Sequence, residues 1–264
     1  MGKNGKKNLR PFLKSLNTET MFPLQDNIPR RNPPFVVWGL VFLNVVFFLF
    51  ELSLPPQTRE AFLYTFGVVP LRHTHPEWAQ ALGLPVDSWI PFLTSMFLHG
   101  GWMHLIGNMW FLLLFGDNVE DRMGSFRFLI FYLLCGFISA GTHTLILHES
   151  TLPAVGASGA ISGVLAAYLF LFPRATIITM IPVFFYPFFF EIPATVFIGL
   201  WFLLQLGSGF TSLIHSQAAQ GIAWWAHVGG FVGGVVLLPL FCLKPCRKWH
   251  ADEMTWDKVW GHRS

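Results

Sequence analysis

Six long runs of apolar residues constrain this chain more than any other feature of its sequence. They lie at about 35–54, 102–119, 126–147, 153–172, 193–210 and 222–243. Each run approaches the roughly 20 residues that an α-helix needs to cross a bilayer. Only 12% of the 264 residues are charged, whereas soluble globular domains carry about 25%. We therefore predict an all-α polytopic membrane protein, a compact bundle of six transmembrane helices.

The positions of the basic residues predict how this bundle is oriented. If both termini are cytoplasmic, all but two of the 17 lysines and arginines lie on the cytoplasmic side, as the positive-inside rule requires. The two exceptions are Arg59 and Arg72. We predict a cytoplasmic basic segment over 1–34, a membrane domain over 35–243 and a cytoplasmic tail over 244–264, in a multi-pass protein of the cell membrane.

Two connections between the apolar runs are unusual. The first loop, at about 55–90, is long and mixed in polarity. The connection at 177–192 is apolar but contains Pro182 and Pro187. Because two prolines disfavour a continuous helix, we predict an interfacial loop there, with a seventh span as the alternative.

A few polar residues interrupt the second, fourth and sixth apolar runs. The second run contains His104 and Asn108, and His99 comes just before it. Ser158 lies in the fourth run and His227 in the sixth. Because polar side chains are costly in hydrocarbon, they tend to face a bundle interior or a wet cavity and to mark function.

The predicted topology brings these polar residues to one depth. The second, fourth and sixth helices all run from the outer side inward. If the fourth begins at Pro153 and the sixth at Gly221, Ser158 and His227 both lie roughly 8–9 Å below the helix starts, at 1.5 Å per residue. The serine, the histidine and the asparagine would then share one level near the outer surface.

Small residues suggest which of these helices touch. Gly159 and Gly163 are four residues apart in the fourth run, and Gly230 and Gly234 are four apart in the sixth. This spacing allows two membrane helices to approach closely. A close approach would place the serine against the histidine.

Each polar residue also has a purely structural interpretation. A serine in a membrane helix commonly bonds its own i−4 carbonyl, and an asparagine can link two helices by a hydrogen bond. A single histidine can be a satisfied polar residue. These polar residues nevertheless share one depth and lie on the same side of the membrane. None of the structural interpretations predicts this, so it favours a functional site.

Three motifs resemble those of the rhomboid family of intramembrane serine proteases, over residues 22–243. They are GASG at Gly156–Gly159, AHVGG at Ala226–Gly230, and HGGWMHLIGN, which begins at His99. The resemblance implies that Ser158 is the nucleophile and that His227 is its base.

The third motif carries further implied roles. By the same resemblance, His104 and Asn108 help to form an oxyanion hole, and His99 is a supporting polar residue.

The chain departs from the family pattern at two places. Some members have an aromatic residue one turn after the nucleophile, where this chain has Ser162. Some have a Trp-Arg pair in the first loop, where Trp89 is followed by Ile90. The sequence also contains no acidic residue placed to orient the imidazole, so we predict a Ser–His dyad rather than a triad.

The resemblance implies an endopeptidase that cuts transmembrane protein substrates within a lipid bilayer. We expect no cofactor, no metal and no nucleic-acid partner, and the oligomeric state is not indicated. His73, His75, His143, His148 and His215 are scattered, and we interpret them as loop residues rather than metal ligands.

Two alternatives belong to other functional classes. One is a catalytically silent rhomboid-like protein that binds membrane helices in quality control. The other is a transporter, which is disfavoured because Glu51 is the only strong candidate for a charged residue inside a helix.

Overall fold

The structure, a computed structural model, describes residues 22–86, 88–183, 186–214 and 223–242. The helices and strands follow in chain order: β1 (Phe22–Asp26), α1 (Phe35–Ser53), α2 (Pro56–Phe66), α3 (Pro70–Thr74), α4 (Pro76–Ala81), α5 (Ile90–Thr94), α6 (Trp102–Met123), α7 (Ser125–Ile146), α8 (Ser158–Leu171), β2 (Thr176–Val183), β3 (Tyr186–Pro193), α9 (Ala194–Ile214) and α10 (Trp224–Phe241). The predicted tail over 244–264 lies outside the described residues.

Six main helices, α1 and α6–α10, lie at the six apolar runs, so the all-α membrane architecture is confirmed. Within the described ranges, α1, α7, α9 and α10 are long and apolar enough to cross a bilayer. Helix α8 is apolar but has only 14 residues, and α6 carries four charged residues near its C-terminal end. The chain is a multi-pass membrane protein.

The predicted start of the fourth helix at Pro153 is wrong, because α8 begins at Ser158. Ala154 pairs instead with Val68 of the first loop, through backbone hydrogen bonds of 2.8 and 3.0 Å. Gly156 then has a φ of +125°, which does not belong to a right-handed helix. Ser158 therefore lies at the first residue of its helix and not roughly 8–9 Å below the start.

The segment at 177–192, predicted to be an interfacial loop, forms a β-hairpin. Strands β2 and β3 pair antiparallel, and β1 pairs with β2, so the order of the three-stranded sheet is β1-β2-β3. Pro182 lies beyond the residues of β2 that pair with β1. Its missing N–H therefore removes no bond to that strand. The seventh span is wrong.

The charged end of α6 anchors the start of α1. The carboxylate of Glu120, which is 2% exposed, accepts hydrogen bonds from the backbone N–H groups of Val36 (3.0 Å) and Val37 (2.9 Å). The first N–H groups of a helix have no partner within the helix, and a negative charge there is favourable. Glu120 therefore satisfies groups that the bilayer would leave unpaired.

Buried charges also hold the first loop. Arg72 is 1% exposed and donates hydrogen bonds to the carbonyl oxygens of Tyr64, Thr65 and Gly67. Glu51 of α1 lies 3.9 Å from the guanidinium of Arg59. These contacts anchor the loop in the absence of a Trp-Arg pair. They also give Glu51 a structural role, as the partner of Arg59, so its presence in a helix does not by itself indicate a transport pathway.

Helices α8 and α10 are in backbone contact at their glycines. A Cβ added to Gly230 would lie 1.9 Å from the carbonyl oxygen of Gly159, and one added to Gly234 would lie 2.5 Å from that of Gly163. The missing side chains of Gly159 and Gly163 leave room for Ser139 and for Cys135 of α7. Helix α8 is thus packed closely between α7 and α10.

We predict that Gly230→Ala destabilises the protein, because the added methyl group has no space beside Gly159. Overpacking of this kind costs typically about 1–3 kcal/mol, so the apparent Tm in detergent should fall by several degrees. Gly199→Ala in α9 is the matched control, since nothing lies within 4 Å of a Cβ at that position. Equal Tm values for the two variants would contradict this packing.

A buried carboxyl group links β1 to the membrane helices. Asp26 accepts hydrogen bonds from the hydroxyl of Tyr168 in α8 (2.5 Å) and from the side-chain amide of Asn118 in α6 (2.7 Å). Burial raises the pKa of Asp26 from 3.8 to about 7, and the nearby Asp117 raises it further while the hydrogen bonds oppose the shift. The folded protein therefore binds this proton more tightly than the unfolded chain.

Asp26 therefore lowers the free energy of unfolding as the pH rises from about 4 to about 7. Over this range the folded protein holds a proton on Asp26 that the unfolded chain has already lost. We predict that Asp26→Asn removes this component. Between pH 5 and pH 8 the apparent Tm of the wild-type protein should fall more than that of the variant. Parallel Tm curves for the two proteins would show that Asp26 does not titrate in this window.

Candidate active site

The structure brings Ser158 and His227 together from two different helices. The Oγ of Ser158 lies 2.7 Å from the Nε2 of His227, which is within hydrogen-bond distance. Ser158 is the first residue of α8 and His227 lies in the first turn of α10. The contact follows from the glycine packing described above, which places the starts of these two helices side by side.

Two polar side chains of α6 lie against the loop that precedes Ser158. A Cβ added to Gly156 would lie 2.7 Å from the Nε2 of His104 and 3.5 Å from the Nδ2 of Asn108. Only glycine fits here, both for this space and for its φ of +125°. His104, Asn108 and the loop backbone therefore surround one small volume next to the serine.

Asn108 has an unused hydrogen-bond donor in this volume. Its Nδ2 atom is buried and has no hydrogen-bond partner among the described residues. An unpaired buried amide is costly. A site that must bind a developing negative charge keeps donors of this kind free and already oriented.

His99 lies behind His104 rather than beside the serine. Its backbone N–H donates to Glu51 (3.2 Å), and its ring meets that of His104 edge-on, with centroids 5.1 Å apart. Burial lowers the pKa of His99 to about 3, with a smaller effect from His104. A neutral His99 therefore supports His104 by packing.

Ser162 lies one turn after Ser158 in α8. Its hydroxyl donates to the backbone carbonyl of Ser158 (2.6 Å). The ring of His227 is flanked instead by Trp201 of α9, with centroids 6.0 Å apart, and by Trp224, with centroids 6.2 Å apart. The aromatic neighbours of the histidine thus come from other positions.

Sequence reasoning missed the second partner of the imidazole. The Oε1 of Gln205 in α9 lies 2.7 Å from the Nδ1 of His227, and Gln205 is 6% exposed. A signal was present, because Gln205 is the only amide or charged residue in the apolar run at 193–210. Such residues are costly in a membrane helix and mark function.

A cavity of about 30 Å³ adjoins Ser158. Its polar lining includes Ser95, Ser139 and His143. A water molecule needs about 10–15 Å³ of such space together with polar partners, so the cavity can hold water. His143 lies in α7, and its interpretation as a loop residue is wrong.

No group of three or more His, Cys, Asp or Glu residues in the described part of the chain could hold a metal ion.

Comparison with known proteins identifies rhomboid relatives. A family model described as a rhomboid domain matches residues 86–244. Rhomboid-like protein 11, chloroplastic, from Arabidopsis thaliana is 31% identical over 125 residues, which cover 47% of this chain and 40% of the relative. RHOMBOID-like protein 6, mitochondrial, from the same plant is 30% identical over 177 residues, covering 65% of this chain and 49% of the relative.

A bacterial relative is also similar. The rhomboid protein YdcA of Bacillus subtilis (strain 168) is 32% identical over 117 residues, which cover 42% of this chain and 58% of the relative. The matched part thus spans about 40–58% of the length of these three relatives.

Proposed function

Because this chain belongs to the rhomboid family of membrane proteins, we propose that it is an intramembrane serine endopeptidase that uses a dyad of Ser158 and His227. The observation that carries the proposal is the 2.7 Å separation between the Oγ of Ser158 and the Nε2 of His227. A serine hydroxyl is a weak nucleophile until a neighbouring base takes its proton, and this distance allows the transfer.

In the first step, Ser158 Oγ attacks the scissile carbonyl carbon while Nε2 of His227 accepts the hydroxyl proton. The carbonyl oxygen becomes an oxyanion. In this mechanism Asn108 Nδ2, His104 and the backbone N–H groups at the start of α8 donate to it. The N-terminus of α8 also favours negative charge at this point. His227 then protonates the leaving amine, and the C–N bond breaks.

The second step needs water, which a bilayer does not supply. The cavity beside Ser158 provides a place for it, lined by the polar side chains of Ser95, Ser139 and His143. His227 removes a proton from the water as the water attacks the acyl carbon. It returns that proton to Ser158 Oγ as the bond between the acyl carbon and Oγ breaks, and the new carboxylic acid end of the substrate leaves. The dyad is then restored.

The substrates that suit such a site are transmembrane segments of other membrane proteins. A helical segment hides its carbonyl groups in its own hydrogen bonds, so it must unwind before Ser158 can reach one. We expect cleavage near Gly, Ala or Pro residues, which lower the helix propensity or side-chain bulk around the bond.

The active site is proposed to open toward the outer side of the cell membrane, with both termini in the cytoplasm. The distribution of lysine and arginine supports this orientation. We predict that a reporter fused after Ser264 gives the signal of a cytoplasmic location. A reporter inserted in the first loop should give the signal of a location outside the cell membrane. The reverse pattern, measured in intact cells, would overturn the orientation.

We predict that the purified protein, reconstituted in liposomes, cuts members of a panel of single-spanning test proteins with Gly or Ala near the outer end of the helix. Ser158→Ala and His227→Ala should abolish cleavage. Asn108→Ala should lower kcat by about 10²–10³, the usual cost of one oxyanion donor. Cleavage is measured by the appearance of both product fragments.

Gly199→Ala, which alters no contact at the site, is the control for this series and should cut at the wild-type rate. Undiminished cleavage by Ser158→Ala would show that another residue is the nucleophile. Absence of cleavage of every test protein by the folded wild type would favour a rhomboid-like protein that binds membrane helices without cutting them.

A further inference from the structure

The hydrogen bond between Gln205 and His227 joins the proposed base to a helix that contains none of the other reacting groups. Ser158 lies on α8, His104 and Asn108 on α6, and His227 on α10. Gln205 lies on α9, and its Oε1 is 2.7 Å from the Nδ1 of His227. A neutral imidazole has one donor and one acceptor nitrogen. If Nε2 accepts the proton of Ser158, Nδ1 must carry a hydrogen.

The amide oxygen of Gln205 is an acceptor and therefore selects this tautomer. The acceptor holds the Nδ1–H and leaves the lone pair of Nε2 facing Ser158. A carboxylate performs this function in a serine–histidine–aspartate triad. A neutral amide performs it without placing an additional charge in the membrane.

A second residue of α9 acts on the same ring. Trp201 lies four residues before Gln205, so both project from one face of α9. Its ring flanks that of His227, with centroids 6.0 Å apart. Helix α9 thus supplies both a hydrogen bond and an aromatic neighbour to the imidazole.

Helix α9 is the least buried of the long apolar helices among the described residues. Only 22% of its apolar window is buried, compared with 28–44% in α1, α7 and α10. It contacts α10 through aromatic pairs, Phe202 with Phe231 and Phe210 with Trp225. The least buried of these four helices therefore carries the group that orients the base.

We propose that Gln205 is a positioning residue that sets the tautomer of His227, and that docking of α9 against α10 is thereby required for a competent base. The proposal rests on the proposed function for its catalytic consequence, though not for the tautomer itself. Any displacement of α9 that breaks this hydrogen bond removes the preference for the tautomer in which Nε2 can accept the proton of Ser158. Ser158 and the oxyanion donors stay in place.

The tautomer is tested by nitrogen NMR of the full chain labelled with ¹⁵N-histidine, in which His227 is identified by the signal lost in His227→Ala. The wild type should show a protonated Nδ1 and an unprotonated Nε2. Gln205→Leu should lose this pattern, and Gln205→Glu, which keeps an acceptor oxygen, should retain a protonated Nδ1. An unchanged tautomer in Gln205→Leu overturns the proposal, whether or not the protein cuts any substrate.

Kinetics with a cleaved test protein separate positioning from packing. Gln205→Leu should lower kcat on the order of 10²-fold, as small misplacements of catalytic groups do, with KM unchanged. Ile198→Ala, which removes a fully buried side chain from the same helix, controls for weakened packing and should lower the Tm without this loss of kcat. Equal losses of kcat in the two variants would overturn a specific role for Gln205.

Gln205→Glu should restore activity with a shifted pH profile. A carboxylate beside Nδ1 stabilises the protonated imidazole, so activity should appear only at a higher pH than in the wild type. The other titratable groups that face the ring, His104 and His143, are the same in both proteins. A pH profile identical to that of the wild type would contradict direct contact between residue 205 and the base.

Discussion

The site depends on the backbone contact between α8 and α10. Gly230 and Gly234 face the carbonyl oxygens of Gly159 and Gly163 so closely that no side chain fits between the helices. This proximity is what puts a serine at the start of one helix within 2.7 Å of a histidine at the start of the other. In hydrocarbon there is little hydrophobic gain from bringing two helices together, so packing of small residues has to provide the association. The feature that makes the fold possible thus also assembles the proposed dyad.

The two ends of the helix bundle differ in whether their buried polar groups have hydrogen-bond partners. At the end that holds β1, carboxylates are matched to donors: Glu120 satisfies the start of α1, and Asp26 accepts from Tyr168 and Asn118. At the opposite end, the amide nitrogen of Asn108 is buried without a partner in the described part of the chain, beside a cavity that can hold water. The first arrangement stabilises the fold. The second keeps donors available, which suits a site that binds charge only during a reaction.

Much of this arrangement could be predicted from the sequence, because membrane helices can be recognised from the length and hydropathy of their apolar runs. The six main helices follow from the apolar runs, and the glycine spacing suggests which of them touch. The start of α8 was missed because a Pro followed by small apolar residues resembles a helix start, while the pairing of Ala154 with Val68 depends on residues far apart in the chain. The pairing of β1 with β2 was missed for the same reason, since these strands lie about 150 residues apart. Gln205 was missed because a carboxylate is the usual partner of a catalytic histidine, although an amide oxygen also accepts a hydrogen bond.

The most direct experiment on this protein asks whether His227 activates Ser158. The purified full chain in detergent is treated with a fluorophosphonate, which reacts with activated serine hydroxyls, and the modified residue is located by peptide mass spectrometry. We predict an adduct on Ser158 that is absent from His227→Ala. An adduct on another serine such as Ser139, no adduct on the folded wild type, or equal labelling of Ser158 in His227→Ala would contradict it.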